Sequence, residues 1–172
     1  ICILNNDVTV KPDFLEPLIS ILDSDPTVGV VTPLITADSC PEEVWALGSV
    51  VNRRTGAVER CFAGTRVCDW HKQSPFAVDS AAGAALVASR EVFEAVGLMD
   101  NGFFMYYEEI DWCLHIQRAG YRIVAVPSVI VSHKVSAALG ETSPVIDYYM
   151  LRNHLRFIIR NWSGLVRWRV MT

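Results

Sequence analysis

The stretch ICILNNDVTVKPDFLEPLISILDSDPTVGVVTPLI, residues 1–35, decides the fold. Ile1-Cys2-Ile3-Leu4 is a short unbroken apolar run, the pattern of a strand covered on both faces, and it stops at the polar cluster Asn5-Asn6-Asp7. Pro12 suits a first helical position. Leu15, Leu18, Ile19 and Leu22 follow at i, i+3, i+4 and i+7, one face of a helix ending near Asp25-Pro26. Pro17 has no N–H to give to a helix interior, so it predicts a late start or a kink. Val28 to Ile35 is apolar again. Strand, helix, strand is the unit of a mostly parallel α/β sheet, because parallel neighbours require a crossover connection.

Outward from this unit the pattern loosens and then recovers. Residues 36–78 hold isolated glycines, Pro41, Pro75 and short mixed segments such as Trp45 to Val51, which predict hairpins and a long loop. Asp79 to Ala88 is a run of small residues leading to Ser89, an N-cap for a helix with Val92, Phe93 and Val96 inward and Gly97 as its stop. An aromatic stretch, Phe103 to Tyr107, leads into a helix from about Glu108 to Ala119, closed by Gly120. Arg122 to Val126 and Ser128 to Ser132 read as strands interrupted by Pro127, which implies an edge or a bend. Val145 to about Trp162 is helical again.

Composition bounds the function. With 172 residues, 51% of them hydrophobic, the chain can bury one core and is too short for two domains. Five arginines and no acids fall in residues 150–172, so that segment carries +5 and the remainder −9 of a net −4. The asymmetry points to a basic tail, not to a nucleic-acid-binding body. Five cysteines without a C-x-x-C pair suit neither a disulfide framework nor a zinc cage, and a reducing cytosol is the simplest setting. No apolar run approaches the roughly 20 residues of a membrane-spanning helix, and no signal-peptide pattern opens the sequence. Because Ile1 already sits in a strand pattern, the chain reads as a piece that starts inside a sheet.

Three polar groups carry chemistry. Asn5-Asn6-Asp7 ends a strand, where ligands gather in open α/β sheets, so an acid there can hold a hard divalent cation bound to phosphate oxygens. An Asx-rich turn that merely ends the strand is the alternative. Glu108, Glu109 and Asp111 place three carboxylates in four residues after aromatic residues. Neighbouring carboxylates and an apolar wall raise proton affinity, which prepares one of them as a general base; acids in a first helical turn are also stabilised by the helix dipole without any catalysis. Glu108 and Asp111 share a face at i, i+3, while Glu109 points elsewhere. His133 closes the strand Val129-Ile130-Val131-Ser132 and is either a third ligand at the sheet rim or a hydrogen-bonded histidine.

In this order the motifs resemble the family 2 glycosyltransferases of the GT-A fold, especially their bacterial rhamnosyltransferase-like branch. Leu4-Asn5-Asn6-Asp7-Val8 resembles the family's variant of the D-x-D metal motif, and Gly83-Ala84-Ala85-Leu86-Val87 with Glu91-Val92-Phe93 and Val96 to Asp100 resembles its acceptor-side block. Phe103 to Leu114 resembles its ED-x-D block, followed by Gly120-Tyr121 and Ser132-His133, and Tyr148-Tyr149 with Arg152-Asn153 resemble the tail pattern. The resemblance implies a partial GT-A domain, a Rossmann-like, mixed and mostly parallel sheet flanked by helices, lacking the N-terminal strands that hold the donor's nucleotide. It implies Asp7, Asn5 and His133 as ligands of Mg²⁺ or Mn²⁺, and Glu109 as the base with Glu108 beside it. Glu109 stands where the family usually has Asp, so the base lies between these two. Substrate contacts would fall to Asn6, Gly83, Ala84, Asp111 and Trp112, with Asp111 orienting either the acceptor or the helix.

The implied activity is inverting transfer of a sugar from a nucleotide-sugar donor to a saccharide or lipid-linked acceptor in cell-surface polysaccharide synthesis. Residues 1–144 would form the acceptor and metal side of the domain, and 145–172 an amphipathic basic helical tail. Arg152, Arg156 and Arg160 recur at i, i+4, i+8, followed by Trp162, Arg167, Trp168 and Arg169. This tail either lies on an anionic membrane surface or packs on the domain with its arginines in solvent. The expected setting is the cytoplasm with peripheral contact to the inner face of the plasma membrane, and nucleic acid is not an expected partner. A catalytically inactive carbohydrate-binding or scaffolding domain and a metal-dependent nucleotidyltransferase are the alternatives, the first favoured by Asn5 and Glu109 in place of acid and Asp.

Overall fold

Local pattern and tertiary cover together set the elements of the computed structural model, which describes residues 1–135, 143–164 and 167. In chain order they are β1 (Cys2–Leu4), β2 (Val8–Thr9), α1 (Leu15–Ser24), β3 (Val28–Ala37), β4 (Cys40–Ala46), β5 (Ser49–Val51) and β6 (Val58–Arg60). There follow α2 (Val67–Trp70), β7 (Phe76–Val78), β8 (Ala85–Ala88), α3 (Arg90–Val96), α4 (Glu108–Arg118), β9 (Arg122–His133) and α5 (Pro144–Asn161).

β3 and β9 are long runs rich in β-branched residues, which suits strands buried on both faces, and they pair in parallel from Val28 opposite Arg122 to Ala37 opposite His133. Around them lies a seven-stranded sheet of order β1-β8-β3-β9-β2, with β4 added to β3 and β7 to β9; β5 and β6 form a separate hairpin. The mixed α/β sheet is of the expected class. Its pairings correct the expectation of mostly parallel strands, because only β3–β9 is parallel. The small-residue run before Ser89 is responsible: it forms β8, which slots between β1 and β3 and runs against both.

Two other expectations change, and one is met. β1 is not covered on both faces: Cys2 and Leu4 are exposed, since β8 is the one strand beside it among the described residues. Pro127 does not divide two strands. The register jumps from Pro33 opposite Val126 to Leu34 opposite Ile130, so residues 127–129 bulge from one continuous β9 where Pro127 owes the ladder no N–H. α1 makes the late start that Pro17 predicts, at Leu15 rather than Pro12, and Pro17 falls in its first turn, where an N–H would have no intrahelical acceptor anyway.

Side chains alternate across β3, so Val30 and Leu34 pack with Val92 of α3 and Trp112, Cys113 and Ile116 of α4, while Val31 packs with Leu18 of α1. Ser89 caps α3 by accepting from the Val92 N–H at 3.4 Å. α5 closes the far side: Phe157 and Trp162 share an apolar cluster with Val51, Phe103, Tyr107 and Leu114. Full burial of a side chain such as Phe157 is worth about 1.5–3 kcal/mol, so this contact anchors α5 to α4. Trp168 and Arg169 lie outside the described residues.

Candidate active site

The β2–β9 register sets Val8 opposite His133, which brings the preceding Asp7 to the histidine ring. Asp7 Oδ1 lies 3.0 Å from His133 Nε2. No aligned hydrogen bond joins them, and both Asp7 Oδ1 and His133 Nδ1 are sealed from solvent without a partner. Buried polar atoms are rarely left unmatched, so this pair has unused ligating capacity. Trp45 of β4 stands edge-on to the His133 ring with centroids 5.1 Å apart, and the Lys134 N–H donates to the Asp7 carbonyl at 3.1 Å, which fixes both residues. The Asn5 N–H donates to the Ala84 carbonyl at 3.0 Å and ties the same turn to the start of β8.

The second group comes from the entry to α4. Phe104, Tyr106 and Tyr107 have φ of 68°, 64° and 71°, a left-handed run without glycine, and Tyr107 is the N-cap. The chain thereby turns sharply into the helix and presents its first turn. Glu108 Oε2 and Glu109 Oε2 are both enclosed with no hydrogen-bond partner. Burial, with the Glu108 charge second, pushes the Glu109 carboxyl up to about 7, and the backbone N–H groups of Glu109, Ile110 and Gly83 offset only part of this. Glu108 is also raised, chiefly by burial. A Cβ at Gly83 would sit 3.2 Å from Glu109 Cδ, so glycine there leaves the carboxylate its room.

These groups meet. A cavity of about 470 Å³ is lined by Asn5, Asn6, Asp7, Gly83, Ala84, Glu108, Glu109 and His133, residues spread over most of the chain. Two residues expected to contact substrate are elsewhere, which is a correction. Asp111 is 2% exposed and faces α5, where Arg160 Nε reaches its Oδ2 at 3.2 Å and Asn161 Nδ2 donates to its Oδ1 at 2.6 Å. Trp112 lies in the core against Phe93, its indole N–H donating to the Gly97 carbonyl at 2.9 Å. Helical geometry explains this: positions two and three residues beyond Glu109 rotate off the cavity. Glu108 and Glu109, assigned to different faces by spacing, are the first two residues of α4 and both line the cavity.

Sequence reasoning missed Trp45, Phe104, Met105 and Tyr106 as lining residues. The aromatic stretch before Glu108 was a usable signal for the last three; Trp45 sat in an irregular segment and offered none. α5 packs on the domain, as the second reading of the tail has it, but its arginines are paired there rather than free in solvent. Arg156 and Arg160 reach Asp100 Oδ2 at 2.7 and 2.9 Å, and Arg152 Nη1 lies 3.5 Å from the Phe103 carbonyl oxygen. The exposed face of α5 carries Tyr148, Leu151, Leu155 and Ile159 instead.

Among the described residues no three His, Cys, Asp or Glu side chains converge as a metal cage. Asp7 and His133, with the neutral amide oxygen of Asn5 lining the same cavity, fit a cation that takes its remaining ligands from water or from a bound molecule's oxygens. Among the described residues no helix is long and apolar enough to cross a membrane.

No protein-family model matches the chain. It is 30% identical over 106 residues to the dTDP-rhamnosyl transferase RfbF of Shigella flexneri, 55% of this chain and 34% of that protein. The low-salt glycan biosynthesis hexosyltransferase Agl10 of Haloferax volcanii is 44% identical over 86 residues, 49% of this chain and 27% of that protein. The rhamnosyltransferase WbbL of Escherichia coli is 39% identical over 56 residues, 33% of this chain and 21% of that protein. The chain thus spans about a third or less of the length of these relatives. A crystal structure of GalNAc-T7 with UDP, GalNAc and Mn²⁺ superposes with a TM-score of 0.64 and 19% identity, over 96% of this chain and 32% of that one. The fold is therefore that of a GT-A glycosyltransferase, and the named relatives are rhamnosyl- and hexosyltransferases, consistent with a portion of a family 2 glycosyltransferase.

Proposed function

We propose that the protein carrying this chain is an inverting glycosyltransferase that moves a sugar from a nucleotide-sugar donor to a hydroxyl of a saccharide or lipid-linked acceptor in cell-surface polysaccharide synthesis. Fold alone does not carry this, since one fold hosts many activities. The supporting observation is that Asp7 and His133 share one cavity with the paired glutamates Glu108 and Glu109.

In this reading Asp7, His133 and Asn5 would hold Mg²⁺ or Mn²⁺, which would supply positive charge to offset that of a leaving diphosphate. The Mn²⁺ and UDP in the GalNAc-T7 structure support that choice. Glu109 takes the proton from the acceptor hydroxyl as that oxygen bonds to the anomeric carbon and the bond to the diphosphate breaks on the opposite face. One displacement inverts the centre, and no sugar is attached to the protein. A carboxyl raised to about 7 suits this work, because a base is most effective when its pKa lies near the working pH. Burial first and the Glu108 charge second keep that value high, and Asn6, Gly83 and Ala84 border the substrates. Five free cysteines support a reducing cytosolic setting, with the lipid-linked acceptor reached at the inner membrane face.

The test is transfer by the full-length protein from a panel of nucleotide sugars with Mn²⁺ or Mg²⁺, compared with Asp7→Ala and Glu109→Gln. Both variants should lose turnover; equal rates in all three proteins reject the site. Sugar binding without turnover in the unaltered protein would instead favour a scaffolding domain.

A further inference from the structure

The left-handed run before α4 is costly and must be held. Each such residue without glycine costs about 1–3 kcal/mol and persists only where its surroundings over-determine it. Asn153, on α5 and 0% exposed, is the side chain that does so. Its two Nδ2 hydrogens are shared among the carbonyl oxygens of Phe103 at 2.8 Å, Met105 at 2.5 Å and Tyr106 at 3.0 Å. Its Oδ1 accepts from Arg152 at 2.8 Å, so both ends of the amide are used. Around this contact Tyr107 stacks on His154 with centroids 5.4 Å apart, and Arg156 and Arg160 grip Asp100 on the upstream side of the loop. Arg160 and Asn161 grip Asp111 on the downstream side. The polar contacts of α5 thus bracket Glu108 and Glu109 without touching either one.

We propose that Asn153 is the positioning residue of this site: its amide holds the backbone of residues 103–107 in the one turn that starts α4 with Glu108 and Glu109 facing the cavity. The role needs a short side chain with two N–H groups. Aspartate has the same shape and no N–H, and would set a carboxylate against three carbonyl oxygens. The inference rests on Glu109 being the base only for its kinetic consequence; the clamp itself is a statement about the backbone.

The experiment compares the full-length protein with Asn153→Asp, Asn153→Ser, Glu109→Gln and the Asn153→Asp, Glu109→Gln double variant. Misplacing a reacting group by about 1 Å costs roughly 10²-fold, so Asn153→Asp should lose kcat by about that factor with donor KM changed by less than about threefold. Asn153→Ser, which keeps one donor, should fall between it and the unaltered protein. If Asn153 acts through Glu109, the double variant is no slower than Glu109→Gln alone. Amide exchange of residues 103–110 should quicken about tenfold in Asn153→Asp while β3 and β9 keep their protection.

A double variant whose loss is the product of the two single losses, or unchanged exchange at 103–110, overturns the proposal. So does failure of both Asn153 variants to fold, since Asn153 would then be a stability residue. If the unaltered protein transfers no sugar, the functional reading fails by itself, and the exchange measurement still decides the clamp.

Discussion

Glu109 and Asp111 stand two residues apart in the first turn of α4, and their surroundings differ in one respect. On the cavity side, Glu109 keeps one enclosed oxygen with no partner, and Glu108 beside it does the same. On the α5 side, Asp111 is surrounded by Arg160, Asn161 and, at 3.9 Å, His115. Removing a carboxylate from water costs several kcal/mol unless hydrogen bonds and opposite charge replace the solvent. The α5 flank makes that replacement, and the cavity flank makes it only in part, through backbone N–H groups and with no opposite charge. A cluster of acids is therefore not a site by composition; the unpaired members are the ones left free to exchange a proton.

The comparison breaks most severely if Glu109 is dispensable. Glu109→Gln should lower kcat by about 10²–10⁴-fold, the range for loss of a general base, in steady-state assays of the full-length protein. A rate within tenfold of the unaltered protein would move the base to Glu108. Asp111→Ala should instead act on stability, because it leaves Arg160 and Asn161 facing an empty site. A loss of about 2–4 kcal/mol in denaturant unfolding is expected, below the full figure for a buried pair since Arg160 is a third exposed.

The two flanks should also differ in their response to pH. The Glu109 carboxyl stands at about 7 in the folded chain against an ordinary 4.5, so its contribution to stability is complete below 4.5 and lost as pH rises through 7. Relative to Glu109→Gln, the unaltered protein should lose on the order of 1–3 kcal/mol across that window, read as a widening Tm gap. Parallel pH profiles would contradict the unpaired burial. The same group predicts that kcat/KM rises with pH through about 7, as a property of the Glu108–Glu109 pair rather than of one residue.

Smaller effects sharpen the picture. Gly83→Ala crowds Glu109 with a contact of 3.2 Å and should cost about tenfold in kcat, roughly 1.4 kcal/mol, without lowering Tm. Asp100→Asn tests the upstream grip of α5. The hydrogen bond from Arg156 holds the Asp100 carboxyl below the usual range, so its contribution is present at neutral pH and fades as pH falls through the lowered value. Asp100 is partly exposed, and a loss of about 1 kcal/mol at pH 7, shrinking as the pH is lowered, is expected from thermal unfolding.

Much of the architecture is written locally. Apolar runs located β3 and β9, and helical spacing located α1 and α5, because these patterns record which face of an element avoids water, while Ser89 marked the start of α3 and Gly120 the end of α4. The polar groups at element ends were legible for the same reason: Asn5-Asn6-Asp7, Glu108-Glu109 and His133 interrupt apolar patterns where a packed interior has no use for them. What local pattern does not record is which neighbour covers a face. That β8 runs against β1 and β3, that Asp111 and Trp112 turn to α5 and the core, that Trp45 abuts His133, and that Asn153 clasps the turn before α4 were all decided by contacts between residues distant in the chain. Such contacts depend on the simultaneous packing of several elements, and no single segment carries that information.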